Sequence, residues 1–387
     1  MRTILERLGR PHEAVPALHV AGTRGKGSTS ALLSAALHAS GARVGLYTSP
    51  HLLAPTERIR VGERDVTEEQ LLVLADRVRS VARDLAPSYF EVMTAAAFVA
   101  FAGAGVEVAV LEVGLGGRLD ATNVCRPLVT AITRLGLEHQ DRLGTTLREI
   151  AREKAGILKP GVPAVLAPNA PEAVASVAER AAEVGAPLAC LGADDVAAAP
   201  AVALPGVHQR ENAAVAAAVL ARLPEASGGR LAVGADALAA GFAAVRWRAR
   251  LELVPAGAAD VLVDVAHDAE SVGALLGHLE LLGRRPAALV FSCLADKDVA
   301  RFAALLAASH STRGARVLVP RLTGPRARPA AEVVAVLRAA GLVAEERSDV
   351  ASAVADARAA AAGHPDHLAA AFGSFLVASD TLRVLGA

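Results

Sequence analysis

The sequence predicts an α/β protein: an N-terminal P-loop-type ATPase domain with a mostly parallel sheet, then a smaller C-terminal Rossmann-like α/β domain. Three observations carry that expectation. Short Val/Ile/Leu runs alternate with amphipathic segments along most of the 387 residues, the pattern of buried parallel strands covered by helices on both faces. A glycine-rich stretch, Gly22-Thr23-Arg24-Gly25-Lys26-Gly27-Ser28, separates the first apolar run from the first helical one. After Trp247 the alternation starts afresh, and a chain of this length exceeds one ordinary core.

In the first domain, residues 1–246, strands are expected at 17–21, 43–48, 106–112, 129–133, 163–167 and 187–191. Each is a short β-branched or leucine run bounded by turn residues. Helices are expected at 28–39, 68–85, 147–158, 171–184, 211–223 and 235–245, where apolar residues recur at helical spacing. The run 94–106 is rich in Ala and Gly and stops at Glu107. It is too short for a membrane span and reads as a buried helix. In the second domain, residues 247–387, strands at 261–265, 287–291, 316–319 and 368–372 alternate with helices at 269–282, 299–308, 330–340 and 351–361.

Hydrophobic content of 53% with 21% charged residues is globular composition. A formal charge of +0 argues against broad capture of nucleic acid or of an anionic membrane. Cys125, Cys190 and Cys293 lack Cys-x-x-Cys spacing, so they fit a reducing cytoplasm and no disulfide framework. Glu6 interrupts the N-terminus, which has no signal-peptide core.

Of the 40 basic residues only four are lysines: Lys26, Lys154, Lys159 and Lys297. Where arginine serves as the general cation, a retained lysine marks a candidate for a task needing a compact, titratable amine. Lys26 lies in the glycine-rich loop, whose backbone N–H groups at a helix N-terminus suit a phosphate. Gly25, Lys26, Gly27 and Ser28 are the expected phosphate-binding residues. On a helix, Leu147, Ile150, Ala151, Lys154 and Leu158 share one face, which turns the Lys154 amine toward the buried side. Burial lowers an amine's pKa, and a neutral amine can add carbon dioxide to give a carbamate, an oxygen ligand for a metal. The alternatives are a lysine snorkelling from the helix edge or one paired with Glu112. Lys159 precedes Pro160-Gly161 and reads as a cation complementing a helix end; Lys297, in Asp-Lys-Asp, reads as a solvated ion pair.

The loop resembles that of the Mur ligase superfamily, in its folylpolyglutamate synthase and dihydrofolate synthase branch. The resemblance continues in order through Tyr47-Thr48-Ser49-Pro50-His51-Leu52, Tyr89-Phe90-Glu91, Leu111 to Val124, Glu138-His139 and Arg152-Glu153-Lys154-Ala155-Gly156-Ile157. His208-Gln209-x-x-Asn212, Arg250-Leu251-Glu252, Asp264-x-Ala266-His267, Asp296-Lys297-Asp298 and Gly373-Ser374-Phe375 complete it. It implies an ATP-dependent amide ligase joining L-glutamate to dihydropteroate or tetrahydrofolate through an acyl phosphate. By resemblance, Ser49 and Glu112 hold Mg²⁺ at the ATP phosphates, and His139 with carbamylated Lys154 holds a second Mg²⁺. Arg250 reaches ATP phosphates, while Asn212, Asp264 and His267 contact the nucleotide. The pterin-bearing substrate meets Ser88, Tyr89, Phe90 and Glu91 together with Leu119, Asp120 and Ala121. Lys26, His139, Lys154 and Arg250 are the implied catalytic set, in a monomer whose partners are small molecules.

Departures accompany the match. Arg24 stands where the family has asparagine, Val265 where it has glycine, and Asp268-Ala269 where it has Asn-Pro. The chain starts about thirty residues later than the family pattern, with the short segment 3–8 ahead of the first motif strand, and the identity of the acceptor stays open. A sister ligase for a non-folate carboxylate and a non-ligating nucleotide-binding protein are the two alternatives. Retention of Ser49, Glu112, His139 and Lys154 together argues against the second.

Overall fold

The structure, a computed structural model, describes residues 1–257 and 259–387. Two compact units emerge: Met1–Ala203 with Gln209–Arg246, and Leu204–His208 with Trp247–Ala387.

The first unit is built on eight strands: β1 (Ala17–Ala21), β2 (Val44–Tyr47), β3 (Ile59–Val61), β4 (Arg64–Asp65), β5 (Val108–Glu112), β6 (Val129–Ile132), β7 (Ala164–Leu166) and β8 (Leu188–Cys190). Their order is β4-β3-β2-β5-β1-β6-β7-β8. Pairings from β2 through β8 are parallel, while β3 runs antiparallel to both neighbours. Strands β1, β2, β5 and β6 are buried along their whole length, which explains their continuous apolar runs. Because β5 and β6 flank β1, the chain reverses direction across the sheet at that point. Ligands of such sheets bind beyond the carboxyl ends of strands at that switch. Residues 22, 48–49, 113–114 and 133 occupy those ends.

The second unit holds β9 (Glu252–Val254), β10 (Val261–Val263), β11 (Arg285–Phe291), β12 (Arg316–Pro320), β13 (Ala344–Arg347) and β14 (His367–Phe372). Their order is β13-β12-β11-β14-β10-β9, parallel except for β9. Phe291 is buried in its core, 5.3 Å from the Phe372 ring and edge-on to Phe302 at 5.8 Å, contacts worth about 0.5–1.5 kcal/mol each beyond burial.

Several elements differ from expectation. The helix expected at 94–106 is Tyr89–Gly103, started by a capping box in which Ser88 and Glu91 exchange hydrogen bonds. The helix expected at 28–39 begins at Lys26. That expected at 147–158 stops at Lys154 and tightens into a 3₁₀ turn, Ala155–Ile157. The antiparallel strand β3, the edge strands β4, β9 and β13 and the helix Phe375–Leu385 were not expected. Among the described residues no helix is long and apolar enough to cross a membrane.

Candidate functional site

The glycine-rich loop is shaped by contacts with the segment after β6. Gly22 has φ 148°, and a Cβ there would overlap the Thr133 hydroxyl, which donates to the Arg24 carbonyl at 2.6 Å. The Thr23 and Arg24 N–H groups donate to the Arg134 carbonyl at 2.9 and 3.1 Å. Gly25, at φ 83°, then turns the chain into the helix Lys26–Ala39. A Cβ on Gly25 would overlap Asn212 Oδ1. The Asn212 amide donates to Gln209 Oε1 at 2.8 Å, and Gln209 in turn reaches the buried Ser28 hydroxyl at 3.5 Å. The structure therefore brings Asn212 to the loop and adds Gln209, which sequence reasoning passed over although it stands in the same motif. The free N–H groups of the first helical turn make an anion site. Lys26 is partly exposed there, its amine 3.4 Å from the Thr23 carbonyl.

Glu112 ends β5 with only 4% of its surface exposed, and its carboxylate accepts the Ser49 N–H at 3.1 Å. Lys154 is 1% exposed. Its amine donates to the Gly22 carbonyl at 2.8 Å and to Glu138 Oε1 at 2.6 Å. The partner is thus Glu138, where Glu112 had been the alternative, because Glu138 hangs beyond β6 on the same side as the helix Leu147–Lys154. Burial pulls the Lys154 amine down to about 8, with Glu138 opposing. Burial pushes Glu138 upward, but Lys26 and Lys154 outweigh it and hold the carboxyl low. His139 is exposed at the surface with φ 46° and begins the short helix Gln140–Leu143. Among the described residues no three His, Cys, Asp or Glu side chains gather into a metal cluster. A hard ion with phosphate and water ligands needs fewer protein groups than that, and the buried Glu112 carboxylate beside Ser49 is an oxygen site of the right chemistry.

Next to these residues opens a cavity of about 1110 Å³. Ser88, Phe90, Glu91, Leu119, Asp120 and Ala121 line it, together with Ser49 and the turn Gly114–Gly117. Tyr89 does not; it is about half exposed and its ring lies under the Arg58 guanidinium, 5.4 Å away. Asp120 is turned into its own loop, accepting the Gly114, Leu115 and Thr122 N–H groups at 2.9–3.1 Å and the Thr122 hydroxyl at 2.5 Å. The Thr122 proton being committed, His19 Nε2 must donate to that hydroxyl at 2.8 Å. The buried imidazole is accordingly neutral, its value driven down by burial to about 3. This chain of bonds ties β1 to the cavity wall. Lys159, expected only to complement a helix end, lines the cavity and donates to Asn123 Oδ1 at 2.7 Å. Arg58, which sequence reasoning did not single out, lines it as well.

In the second unit Arg250 and His267 converge on Phe375, at 5.8 Å from its ring in each case. His267 Nδ1 donates to the Val265 carbonyl at 2.8 Å, which leaves Nε2 as an acceptor, and burial lowers the ring's pKa. Asp264 is buried, and its two oxygens accept the Leu251 N–H at 2.7 Å and the Ala266 N–H at 2.6 Å. Burial pushes its carboxyl up to about 6, against the pull of Arg250. The carboxylate so fixes the left-handed turn at Ala249 and Leu251 (φ 52° and 50°) around Arg250. The acid capping the helix Ala269–Leu282 is Asp268. Lys297 pairs with Asp296 at 3.3 Å, as its surroundings suggested.

Residues 20–199 match the Mur ligase middle domain, and residues 249–375 match the Mur ligase glutamate ligase domain. The dihydrofolate synthase/folylpolyglutamate synthase of Bacillus subtilis is 36% identical over 327 residues, covering 77% of this chain and 75% of the relative. The structure is similar to that of Mycobacterium tuberculosis folylpolyglutamate synthase complexed with ADP. The TM-score is 0.89 and the identity 29%, over 100% of this chain and 94% of that one. It is also similar to E. coli FolC in complex with DHPP and ADP, at a TM-score of 0.87 and 32% identity, over 99% and 92% of the two chains.

Proposed function

Since the chain belongs to the folylpolyglutamate synthase/dihydrofolate synthase family, we propose how its own residues carry out that family's reaction. The protein is an ATP-dependent ligase that adds glutamate to folate-type carboxylates. The observation that carries the residue assignments is one of placement. The phosphate loop, the buried Lys154–Glu138 pair, Glu112 with Ser49, and the 1110 Å³ cavity all lie beyond the carboxyl ends of β1, β2, β5 and β6.

The acceptor carboxylate attacks the γ-phosphorus of ATP, ADP leaves, and an acyl phosphate results. The glutamate amine then adds to the acyl carbon; phosphate departs and the nitrogen loses a proton. The N–H groups after Gly25 and the Lys26 amine hold phosphate oxygens and oppose the charge that gathers on the transferred group. Gln209 and Asn212 keep Gly25 and Ser28 in register beneath that phosphate. Phe90 forms an apolar wall for the planar ring of the acceptor, and Asp120 shapes the Gly114–Leu115 turn facing it. Arg250 and His267 are the nucleotide-contacting residues of the second unit, and Asp264 positions the turn that carries Arg250.

Ser49 and Glu112 would hold one Mg²⁺, and His139 with a carbamylated Lys154 the other. Bound there, the ions supply neutralisation of phosphate charge. Carbamylation is supported by the burial of the amine and its lowered pKa. A carbamate would set a second negative charge beside Glu138, an arrangement that suits a cation between them. The free, widely separated cysteines support a cytoplasmic location. The direct check is ADP release with glutamate plus dihydropteroate, plus tetrahydrofolate, or with no acceptor. Acceptor-dependent release is expected; ADP formation indifferent to acceptor and glutamate would contradict the ligase assignment to these residues.

A further inference from the structure

We propose that Arg58 is the carboxylate-recognition residue of the 1110 Å³ cavity, reading the second carboxylate that a glutamylated acceptor carries and an unglutamylated one lacks. The inference rests on the folate-type acceptor reading given above. Arg58 closes the 3₁₀ turn Pro55–Arg58 and is 8% exposed. A guanidinium so buried is ordinarily matched by a carboxylate, since an uncompensated charge out of water is costly. Here, among the described residues, no carboxylate pairs with it. The neighbouring Glu57 is committed to the N–H groups of Leu52, Leu53 and Ala54 at 2.7–2.8 Å.

What does hold Arg58 is neutral. Its Nε donates to His51 Nδ1 at 2.9 Å, and the Tyr89 ring lies 5.4 Å from the guanidinium carbon. One contact fixes the stem and the other the plane, and neither cancels the charge. The two Nη nitrogens, the prongs of the fork, make no hydrogen bond to the described protein, and the side chain lines the cavity. The acids of the lining are all engaged elsewhere: Glu91 with Ser88, Asp120 with its own loop, Glu153 with Arg118. The cavity therefore presents an oriented, two-pronged donor for an anion that must come from the ligand.

Acceptor chemistry says which anion. Dihydropteroate has one carboxylate, and that group is phosphorylated. A glutamylated pterin has two on its terminal residue; one reacts and the other enters the site as a charge needing a partner. Arg58 supplies that partner.

The test is equilibrium binding of dihydropteroate and dihydrofolate, which differ by one glutamyl residue, to the full chain and to Arg58→Gln and Arg58→Lys. The wild type is expected to bind dihydrofolate at least about tenfold more tightly, the scale of a charge-assisted hydrogen-bond pair. Arg58→Gln should erase that preference. Arg58→Lys, which keeps the charge and most of the packing but not the fork, should retain part of it. Equal wild-type affinities would overturn the inference without recourse to a variant. So would equal losses for both ligands in both variants, which mark a packing role. A wild type that binds neither ligand removes the acceptor reading itself, and the inference with it.

Discussion

Withholding carbon dioxide is expected to silence the protein through one side chain, Lys154. At pH 7.5 an amine with the ordinary value of 10.5 is neutral in about one molecule in a thousand. Burial brings Lys154 to about 8, which makes about a quarter of the amines neutral, a gain of about two orders of magnitude in the reactive form. The geometry accommodates that form. The two acceptors in reach, the Gly22 carbonyl and Glu138 Oε1, take up the two hydrogens of a neutral amine and leave its lone pair for the carbon of CO₂. The assay is ¹³C NMR in ¹³C-bicarbonate. A carbamate carbon should appear in the wild type and be absent from Lys154→Met. Ligase activity in CO₂-scrubbed buffer should fall several-fold, recover on adding bicarbonate, and recover more fully as pH rises toward 8. No carbamate signal, or activity indifferent to bicarbonate, would refute the reasoning.

Gly25→Ala combines a left-handed backbone, costing about 1–2 kcal/mol for an L side chain, with an overlap at Asn212 Oδ1. ADP affinity by calorimetry should drop at least about tenfold, since the N–H cradle must reopen; unchanged affinity would remove Gly25 and Asn212 from the phosphate site. Asp264 binds its proton more tightly folded, at about 6 against 3.8 unfolded. Its contribution is therefore fully present below pH 3.8 and is lost as pH rises through 6. The stability difference between wild type and Asp264→Asn, followed by the fluorescence of Trp247, should favour the wild type by about 2 kcal/mol more at pH 4.5 than at pH 7.5. A gap that does not change with pH would mean that Asp264 is not the buried acid described.

Where local chemistry punctuates the chain, the sequence was readable to the residue. Strand β1 and the helices Pro171–Val184, Ala269–Leu282 and Val299–Ala308 fall within their expected bounds, two of them closed by a left-handed glycine, Gly185 and Gly283. The misses are tertiary. Strand β13 reads Ala-Glu-Glu-Arg, polar because it is an edge whose charges pair sideways, Arg316 with Glu345 and Arg347 with Asp356; no hydrophobic pattern announces it. The phosphate loop was legible because glycines declare a turn by themselves. The burial of Lys154 followed from helix phase, whereas its partner Glu138 did not, since the two meet only after β6 and its loop are in place. Arg58 was hidden for a similar reason: its significance is the absence of an acid nearby, which no spacing reveals. The inward turn of Asp120 likewise depends on three N–H groups of a folded loop.

The most direct measurement follows oxygen. Dihydropteroate or tetrahydrofolate labelled with ¹⁸O in its reacting carboxylate is incubated with ATP, glutamate and the protein, and the inorganic phosphate is examined by ³¹P NMR. Transfer through an acyl phosphate predicts one ¹⁸O in each phosphate released, in step with amide formed. Amide formed while the released phosphate stays free of label, the displaced ¹⁸O going to water or AMP instead, would contradict the account.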